Sequence, residues 1–390
     1  MITTLAIEGY RSLRHLVLPL SPLNVITGPN GSGKSSLYRA LRLLADSSRN
    51  GAVAALAREG GLPSTLWAGP AVIGTSVRRG EHAVEPTVRK KPVSLRLGYG
   101  ATDFGYAVDF GLPSGNPLPT HFDLDPEIKR EAIWHGPVLR PATLLSERTN
   151  SQVRLREENG SWHHVGRNLP TFDSMLSEVA DLQRAPELLT VREQLRSWRF
   201  YDHFRTDVQA PARTAQIGTR TSALAHDGAD LAAALQTIQE MGAEGALDAA
   251  VDDAFPGSRL TVQRRTGRFE LALAQPGMLR PLGSAELSDG TLRYLLLVAA
   301  LLTPRPPTLM VLNEPETSLH PELLRPLAQL ISTAALTTQV IVVSHAKPLI
   351  DAITRDAAEV QLIELAKELG ETQVVGQEPL DRPTWKWPER

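Results

Sequence analysis

The chain has 390 residues, 42% hydrophobic and 22% charged, with 41 basic against 43 acidic side chains and a net charge of −2. That apolar content suits one large domain or two ordinary ones and excludes wholesale disorder, while the near-neutral balance offers no general attraction to nucleic acid and leaves only a local basic face open. Cysteine is absent, which excludes disulfides, zinc–thiolate sites and cysteine nucleophiles.

The N-terminal stretch MITTLAIEGYRSLRH lacks the basic-then-apolar layout of a secretion signal. The longest apolar run, residues 295–302, is shorter than the roughly 20 residues that span a bilayer. A cytoplasmic protein with no membrane partner is expected. Leu5 and Ile7, then Leu16 and Leu18, then PLNVIT predict short strands around a turn at Glu8 and Gly9. The period becomes helical over 35–46, with Leu37, Leu41 and Leu44 on one side. From about 92 to 165 short strands return as VSLRLGY, FGYAVDFGL, EIKREAIW, TLLSERT and SQVRLRE, separated by Gly, Pro and Asn. Their alternation predicts an antiparallel sheet with one polar face.

A helical region follows, with Leu188, Val191, Leu195 and Trp198 on one face and Leu231, Leu235 and Ile238 on another. Between them, residues 209–230 are polar and Arg-rich, and read as a mobile loop whose Arg213 and Arg220 are candidate DNA contacts. Strands are predicted again at RLTVQRR and RFELALA. The last third then alternates TLRYLLLVAALL, TLMVLN, PELLRPLAQLIS and QVIVVSH, the helix–strand pattern of a parallel layer. Beyond His345 the sequence predicts a helix, two short strands and a polar tail.

Residues 28–36, GPNGSGKSS, fit G-x-x-x-x-G-K-[ST]. The glycines Gly28, Gly31 and Gly33, with Pro29, Asn30, Ser32 and Ser36, let backbone N–H groups turn inward around phosphates. Lys34 supplies a cation to the β- and γ-phosphates and the Ser35 hydroxyl a magnesium ligand, and the helix starting there turns its positive end to the anion. Four fixed positions recur by chance on the order of once per hundred chains of this size. Here the apolar LNVIT precedes the loop and a helical pattern follows it, as the mechanism requires.

The strand TLMVL runs directly into Asn313 and Glu314. Polar side chains at the exit of a buried parallel strand stand at the carboxyl edge of the sheet, where ligands bind. A helix-entry acid ahead of Pro315 is the lesser alternative for Glu314 once the phosphate loop is granted. AELSDGTLRY places Ser288 and Gly290 at the start of a strongly apolar helix, a second anion-binding terminus if it is more than a cap. QVIVVSH ends a strand on His345, a donor for a γ-phosphate, although a histidine there is more often structural.

Taken in order, these pieces resemble the ABC-type ATPases, and more closely the RecF-like branch related to SMC, RecN and the OLD-type ATPases (the AAA_21 type). LAIEGYRSLRHLVLPLSPLNVITGPNGSGKSSLYRAL resembles that branch's N-terminus, ELSDGTLRYL its signature motif, LMVLNEPETSLHPE its Walker B and D-loop, and VIVVSH its switch histidine, and HDGADLAAAL ahead of them is also similar to the branch. The resemblance is vague over 51–211. It implies an α/β P-loop NTPase of ABC-head type, with a mixed sheet, an antiparallel sheet and a helical lobe. It further implies a single head over 1–390, divided into 1–170, a helical lobe at 171–245, and 246–390.

By the same resemblance, two heads pair face to face around two ATP and Mg2+. Each ATP would lie on Lys34 and Ser35 of one copy and be capped by Ser288 and Gly290 of the other. Glu314 would be the general base, His345 would touch the γ-phosphate, and Ser318, Leu319 and His320 would communicate between sites. This chain departs from the pattern at Asp289, which replaces a signature glycine, and at Asn313, which replaces the Walker B aspartate. An amide oxygen can still accept from a magnesium-bound water, so slow turnover is expected, with Asn313→Asp tightening magnesium. The family's magnesium-contacting glutamine has no clear counterpart; Gln152 and Gln183 are placed only by position. The segment 172–241 has no sustained heptads for coiled-coil arms, and fewer than fifty residues follow His345, so no C-terminal nuclease domain is expected. Two processes stay open: DNA repair or maintenance, with DNA as partner, and an anti-phage defence or toxin system whose effector is a separate protein. A P-loop kinase would leave LSDGT without a role.

Overall fold

The computed structural model describes residues 1–49, 51–70, 94–113, 121–166, 168–202, 204–378 and 380–390; Val93, where the first of the mid-chain strands was expected to begin, lies outside them. The chain divides into two units. One comprises Met1–Ser21, Gly28–Ser197 and Ile363–Arg390, and the other Pro22–Thr27 and Trp198–Leu362.

The N-terminal half supplies β1 (Ile2–Tyr10), β2 (Leu13–Pro19), β3 (Leu23–Thr27), β4 (Leu95–Ala101), β5 (Phe104–Gly111), β6 (Glu127–His135), β7 (Leu144–Thr149), β8 (Gln152–Arg156) and β9 (Trp162–His164). In the first unit all of these except β3 form one antiparallel sheet in the order β2-β1-β4-β5-β6-β7-β8-β9, as the mid-chain strands predict, but the expected polar face does not hold at its centre, where β5 is buried at every position after Phe104. The expected turn at Glu8 and Gly9 lies further on. β1 continues through Gly9 to Tyr10, which pairs with Leu13, and the chain reverses at Arg11 and Ser12, with φ +50° at Arg11. Gly9 is needed inside the strand for another reason: at φ +80° a Cβ would lie 2.3 Å from the Ser94 carbonyl oxygen.

The sheet carries charge in its interior. Glu131 on β6 is fully buried and pairs with the equally buried Arg148. It also accepts from Tyr106 Oη and from the backbone N–H of Met175. The short helix Met175–Glu178 is thereby held on the sheet by the group that caps it, since a buried carboxylate persists only when its lone pairs are filled. Helix Lys34–Ser47 buries Leu37, Leu41 and Leu44 as the period predicts. It is tied to helix Pro186–Ser197 where Arg196 Nε donates to Ser48 O and Arg49 Nη2 to Arg196 O.

The C-terminal half supplies β10 (Arg199–Tyr201), β11 (Gln216–Ile217), β12 (Arg259–Arg265), β13 (Arg268–Ala274), β14 (Leu282–Gly283), β15 (Leu309–Asn313), β16 (Gln339–Val343), β17 (Gln361–Glu368) and β18 (Glu371–Val374). In the second unit β10, β15, β16 and β3 run parallel in that order. Strands β11, β13 and β12 form a separate antiparallel sheet, with β14 added to β13. Helix Asp289–Leu301 is buried at every position from Leu292 to Leu301; a helix apolar on all sides belongs at the centre. Its core companions include Leu235, Ile238, Leu312, Leu327 and Val342. PELLRPLAQLIS opens with a 3-10 turn, Pro321–Leu323, before helix Leu324–Ala334. Pro326 sits in the first turn of that helix, where no intrahelical donor is lost. Helices of the 171–245 stretch fall in both units, Met175–Glu178 and Pro186–Ser197 in the first and Leu231–Met241 in the second. Beyond His345 come helix Lys347–Asp356, β17 and β18.

Candidate nucleotide site

The loop at 28–36 is built around backbone. Gly28, Gly31 and Gly33 adopt φ of 140°, 79° and 111°, and two of the three have no room for a side chain. A Cβ would lie 2.2 Å from Leu365 O at Gly28 and 2.2 Å from Thr372 Oγ1 at Gly33. Thr372 Oγ1 lies 2.8 Å from Ser32 O and from Ser12 Oγ, so the β17–β18 hairpin braces the loop from beneath. Helix Lys34–Ser47 starts with no side-chain cap on its N-terminus, which leaves its first N–H groups for an anion. Lys34 is 7% exposed, and its Nζ bends back over the loop to Gly28 O at 2.6 Å and Pro29 O at 3.1 Å. Ser32 Oγ is buried without a partner, while Pro29, Asn30, Gly31 and Ser35 are exposed and Ser36 half-buried. An orphaned hydroxyl, glycine-only backbone and a folded-over ammonium fit a phosphate cradle, and the exposed Ser35 hydroxyl is a hard oxygen donor of the kind magnesium accepts.

In the second unit the parallel register brings three strand ends into one row. Ile26 lies opposite Val343, and Val343 opposite Asn313. β3, β16 and β15 therefore end at the same carboxyl edge: Thr27 closes β3 and leads into the glycine loop, Ser344 and His345 follow β16, and Glu314 follows β15. Glu314 takes φ +48°, an uncommon conformation for a side-chain-bearing residue and one that clusters at functional positions. Its backbone is pinned, with N–H to Val343 O at 2.8 Å and its carbonyl accepting from Thr317 N and Arg293 Nη2. His345 Nδ1 stands 3.6 Å from Glu314 Oε1 and 3.7 Å from Glu316 Oε1.

The same edge holds residues that motif matching does not single out. Glu316 Oε1 accepts from Ser344 Oγ at 2.7 Å and from the N–H groups of His345 and Ala346, so one carboxylate fixes the path of the histidine turn. Arg293, 3% exposed on helix Asp289–Leu301, is the cation among the acids. Burial pulls its guanidinium below the usual range, and Glu316, Asp202 and Glu314 oppose that pull. Asp202, just past β10, accepts from Asn313 Nδ2 at 2.7 Å. The acid after the apolar RFY was a readable signal for it; Glu316 and Arg293 sit inside quoted motifs whose roles went to their neighbours.

Ser288 caps helix Asp289–Leu301, its Oγ accepting from Thr291 N at 3.1 Å, and remains exposed. Gly290 is needed for close approach: a Cβ there would come within 3.0 Å of Ser318 O, and Ser318 itself has φ +63°. The signature helix and the turn Ser318–Leu319–His320 thus meet within one unit. Arg213 differs from its expected role. It is not a surface cation in a mobile loop: its side chain is 8% exposed, and Nη1 donates to the carbonyls of Ser284, Ala285 and Leu287 while Nη2 donates to Asp289 Oδ1 at 2.6 Å. Asp289, the residue replacing a glycine, is the acid that completes this staple. Arg213→Ala should destabilise the protein by about 1.5–3 kcal/mol, because the carbonyls of the buried residues Ser284 and Leu287 lose a charged donor; thermal denaturation measures the loss, and an unchanged midpoint would mean the staple is idle. Arg220 is largely exposed, 3.9 Å from Glu240. Gln152 opens β8 at an exposed position opposite Thr149, and Gln183 lies in an exposed turn with its N–H on Asp181 Oδ1. Neither has a described hydrogen bond to residues 28–36.

A model of the AAA_21 family, described as "AAA domain, putative AbiEii toxin, Type IV TA system", matches residues 23–352. Among solved structures, the SMC head bound to the C-winged helix domain of ScpA is similar over 96% of this chain and 96% of its own, at 16% identity and a TM-score of 0.51. The SMC head domain from Thermotoga maritima aligns over 97% of this chain and 99% of its own, at 15% identity and a TM-score of 0.45. The first likeness shows the fold, that of an ABC-type ATPase head. An OLD nuclease of Thermus scotoductus (strain ATCC 700910 / SA-01) is 43% identical over 44 residues, 11% of this chain and 8% of that protein's length; this chain matches only a small fraction of that relative. Among the described residues no helix is long and apolar enough to cross a membrane.

Proposed function

The chain belongs to the AAA_21 family of ATPases, and from that premise we propose that it binds ATP with magnesium, hydrolyses it slowly, and pairs with a second copy around two ATP. The observation that carries the reading is the row of strand ends at one sheet edge, where Asn313 and Glu314, His345 and the entry to the glycine loop follow adjacent parallel strands.

Lys34 Nζ would leave the loop carbonyls it now holds for the β- and γ-phosphates, and backbone N–H groups of 28–36 would take the remaining oxygens. Ser35 Oγ and Asn313 Oδ1 are the oxygens that would be offered to magnesium, whose chemistry when bound is to draw charge from the phosphates. Glu314 would take the proton of the attacking water, with His345 beside it as a donor to the γ-phosphate. Ser288 and Gly290 would cap the nucleotide of the other copy, and the approach of Gly290 to Ser318 gives the two sites a contact through which to communicate. The whole chain would act as one head, working in the cytoplasm, where ATP is supplied. The pairing is tested by Ser288→Arg, which fills the place of the opposing γ-phosphate: light scattering should show a monomer with ATP, and retained ATP-dependent pairing would remove LSDGT from the site.

The family description, which names a putative toxin of a toxin–antitoxin system, supports the toxin-system reading over DNA maintenance; that its effector is a separate protein is part of the proposal. ATPase activity measured with duplex and single-stranded DNA at several salt concentrations separates the two. Stimulation that falls steeply with salt supports DNA contact through phosphates; none at low salt supports the effector reading.

A further inference from the structure

β15 ends in an amide where a magnesium-dependent ATPase usually places a carboxylate, and the strand beside it ends in a carboxylate. β10 and β15 are parallel, with Tyr201 opposite Leu312, so Asp202 and Asn313 follow side by side at the sheet edge. Asn313 Nδ2 donates to Asp202 Oδ1 at 2.7 Å. A carboxylate can only accept, and this contact therefore decides which way the amide points: Nδ2 is committed to Asp202, and Oδ1 is the acceptor left for the ligand side. Asp202 is exposed and Asn313 half-buried, so the pair is placed at the edge and not sealed in the core. Asp202 also acts on Arg293 together with Glu314 and Glu316.

We propose that Asp202 is the carboxylate of the magnesium site, displaced by one strand, and that Asn313 is held by it as a relay. Asp202 is then a positioning residue. It orients the amide so that Oδ1 meets the waters of the ion, and it supplies the negative field that an acid at 313 would otherwise supply. The inference rests on the reading that the chain binds magnesium–ATP. It also reverses the expected result of Asn313→Asp. With Asp202 within 2.7 Å of the amide, a second carboxylate at 313 meets a like charge, so this change alone should bring no tightening of magnesium.

The test is a charge transposition in the full chain, read by binding and not by turnover. A fluorescent, non-hydrolysable ATP analogue is titrated with magnesium against wild type, Asp202→Asn, Asn313→Asp and the double variant Asp202→Asn/Asn313→Asp, with thermal melting as a check on folding. Asp202→Asn should raise the magnesium midpoint roughly tenfold, the effect of removing one charge a few ångströms from a divalent ion in a partly wet site, while affinity at saturating magnesium is kept. The double variant, with the acid returned to 313, should recover the wild-type midpoint. An unchanged midpoint in Asp202→Asn overturns the proposal, and so does a double variant no better than Asp202→Asn, because a residue that merely anchors the end of β10 gains nothing from an acid at 313. If wild type binds no analogue at any magnesium concentration, the nucleotide reading itself falls.

Discussion

Lys34→Ala should weaken ATP binding by orders of magnitude. The lysine is the only cation among residues 28–36, and its ammonium already lies over the loop, bonded to Gly28 O and Pro29 O. It needs only a side-chain rotation to exchange those carbonyls for phosphate oxygens. Each charge-assisted hydrogen bond is worth about 1.5–3 kcal/mol, so losing contacts to both phosphates weakens binding by roughly 10²–10⁴-fold. The substitution spares the cradle: Gly28 and Gly33 keep their backbone, and Thr372 still braces Ser32. Calorimetric titration with ATP measures the effect, alongside a melting curve that should move little. Unchanged affinity would take the phosphate-loop assignment down.

The parts of this molecule legible in its sequence are those written locally. Period 2 in EIKREAIW and TLLSERT becomes β6 and β7, and period 3.6 after the glycine loop becomes helix Lys34–Ser47. Asn313 and Glu314 land at a sheet edge because β15 is a continuous apolar run up to Asn313, the mark of a strand buried on both faces. The illegible parts depend on pairing between distant segments. Asp202 acquires meaning only when β10 is laid beside β15, more than a hundred residues away in the chain, and Arg213 only when its guanidinium reaches the carbonyls of 284–287. A polar loop rich in arginine reads as solvated until one arginine is found buried. Glu131 and Arg148 likewise alternate onto the same inward face of their strands, and from the sequence either looks like an ordinary surface charge. The division into units is also non-local: Pro22–Thr27 belongs with residues nearly two hundred positions further on.

Glu314→Gln should keep ATP binding, stop hydrolysis and accumulate the paired state. The backbone of Glu314 is held on three sides, by Val343 O, Thr317 N and Arg293 Nη2, so an isosteric side chain inherits the same φ of +48° and the same place at the edge. What changes is the proton. A carboxylate accepts it from the attacking water; an amide cannot, and loss of a positioned general base costs roughly 10²–10⁴-fold in rate. The amide also removes one of the acids facing Arg293 and the carboxylate 3.6 Å from His345 Nδ1, but Glu316 remains 3.7 Å from that nitrogen and still anchors the turn through Ser344 and Ala346. The histidine should therefore keep its position, and nucleotide affinity should hold. With hydrolysis blocked, nothing would discharge the nucleotide that, on the proposed pairing, bridges Lys34 of one copy to Ser288 of the other, and light scattering in ATP should show a dimer where wild type exchanges. Turnover at the wild-type rate would place the base on another residue. A monomer that binds ATP but does not hydrolyse it would keep Glu314 as the base and remove the second copy from the site.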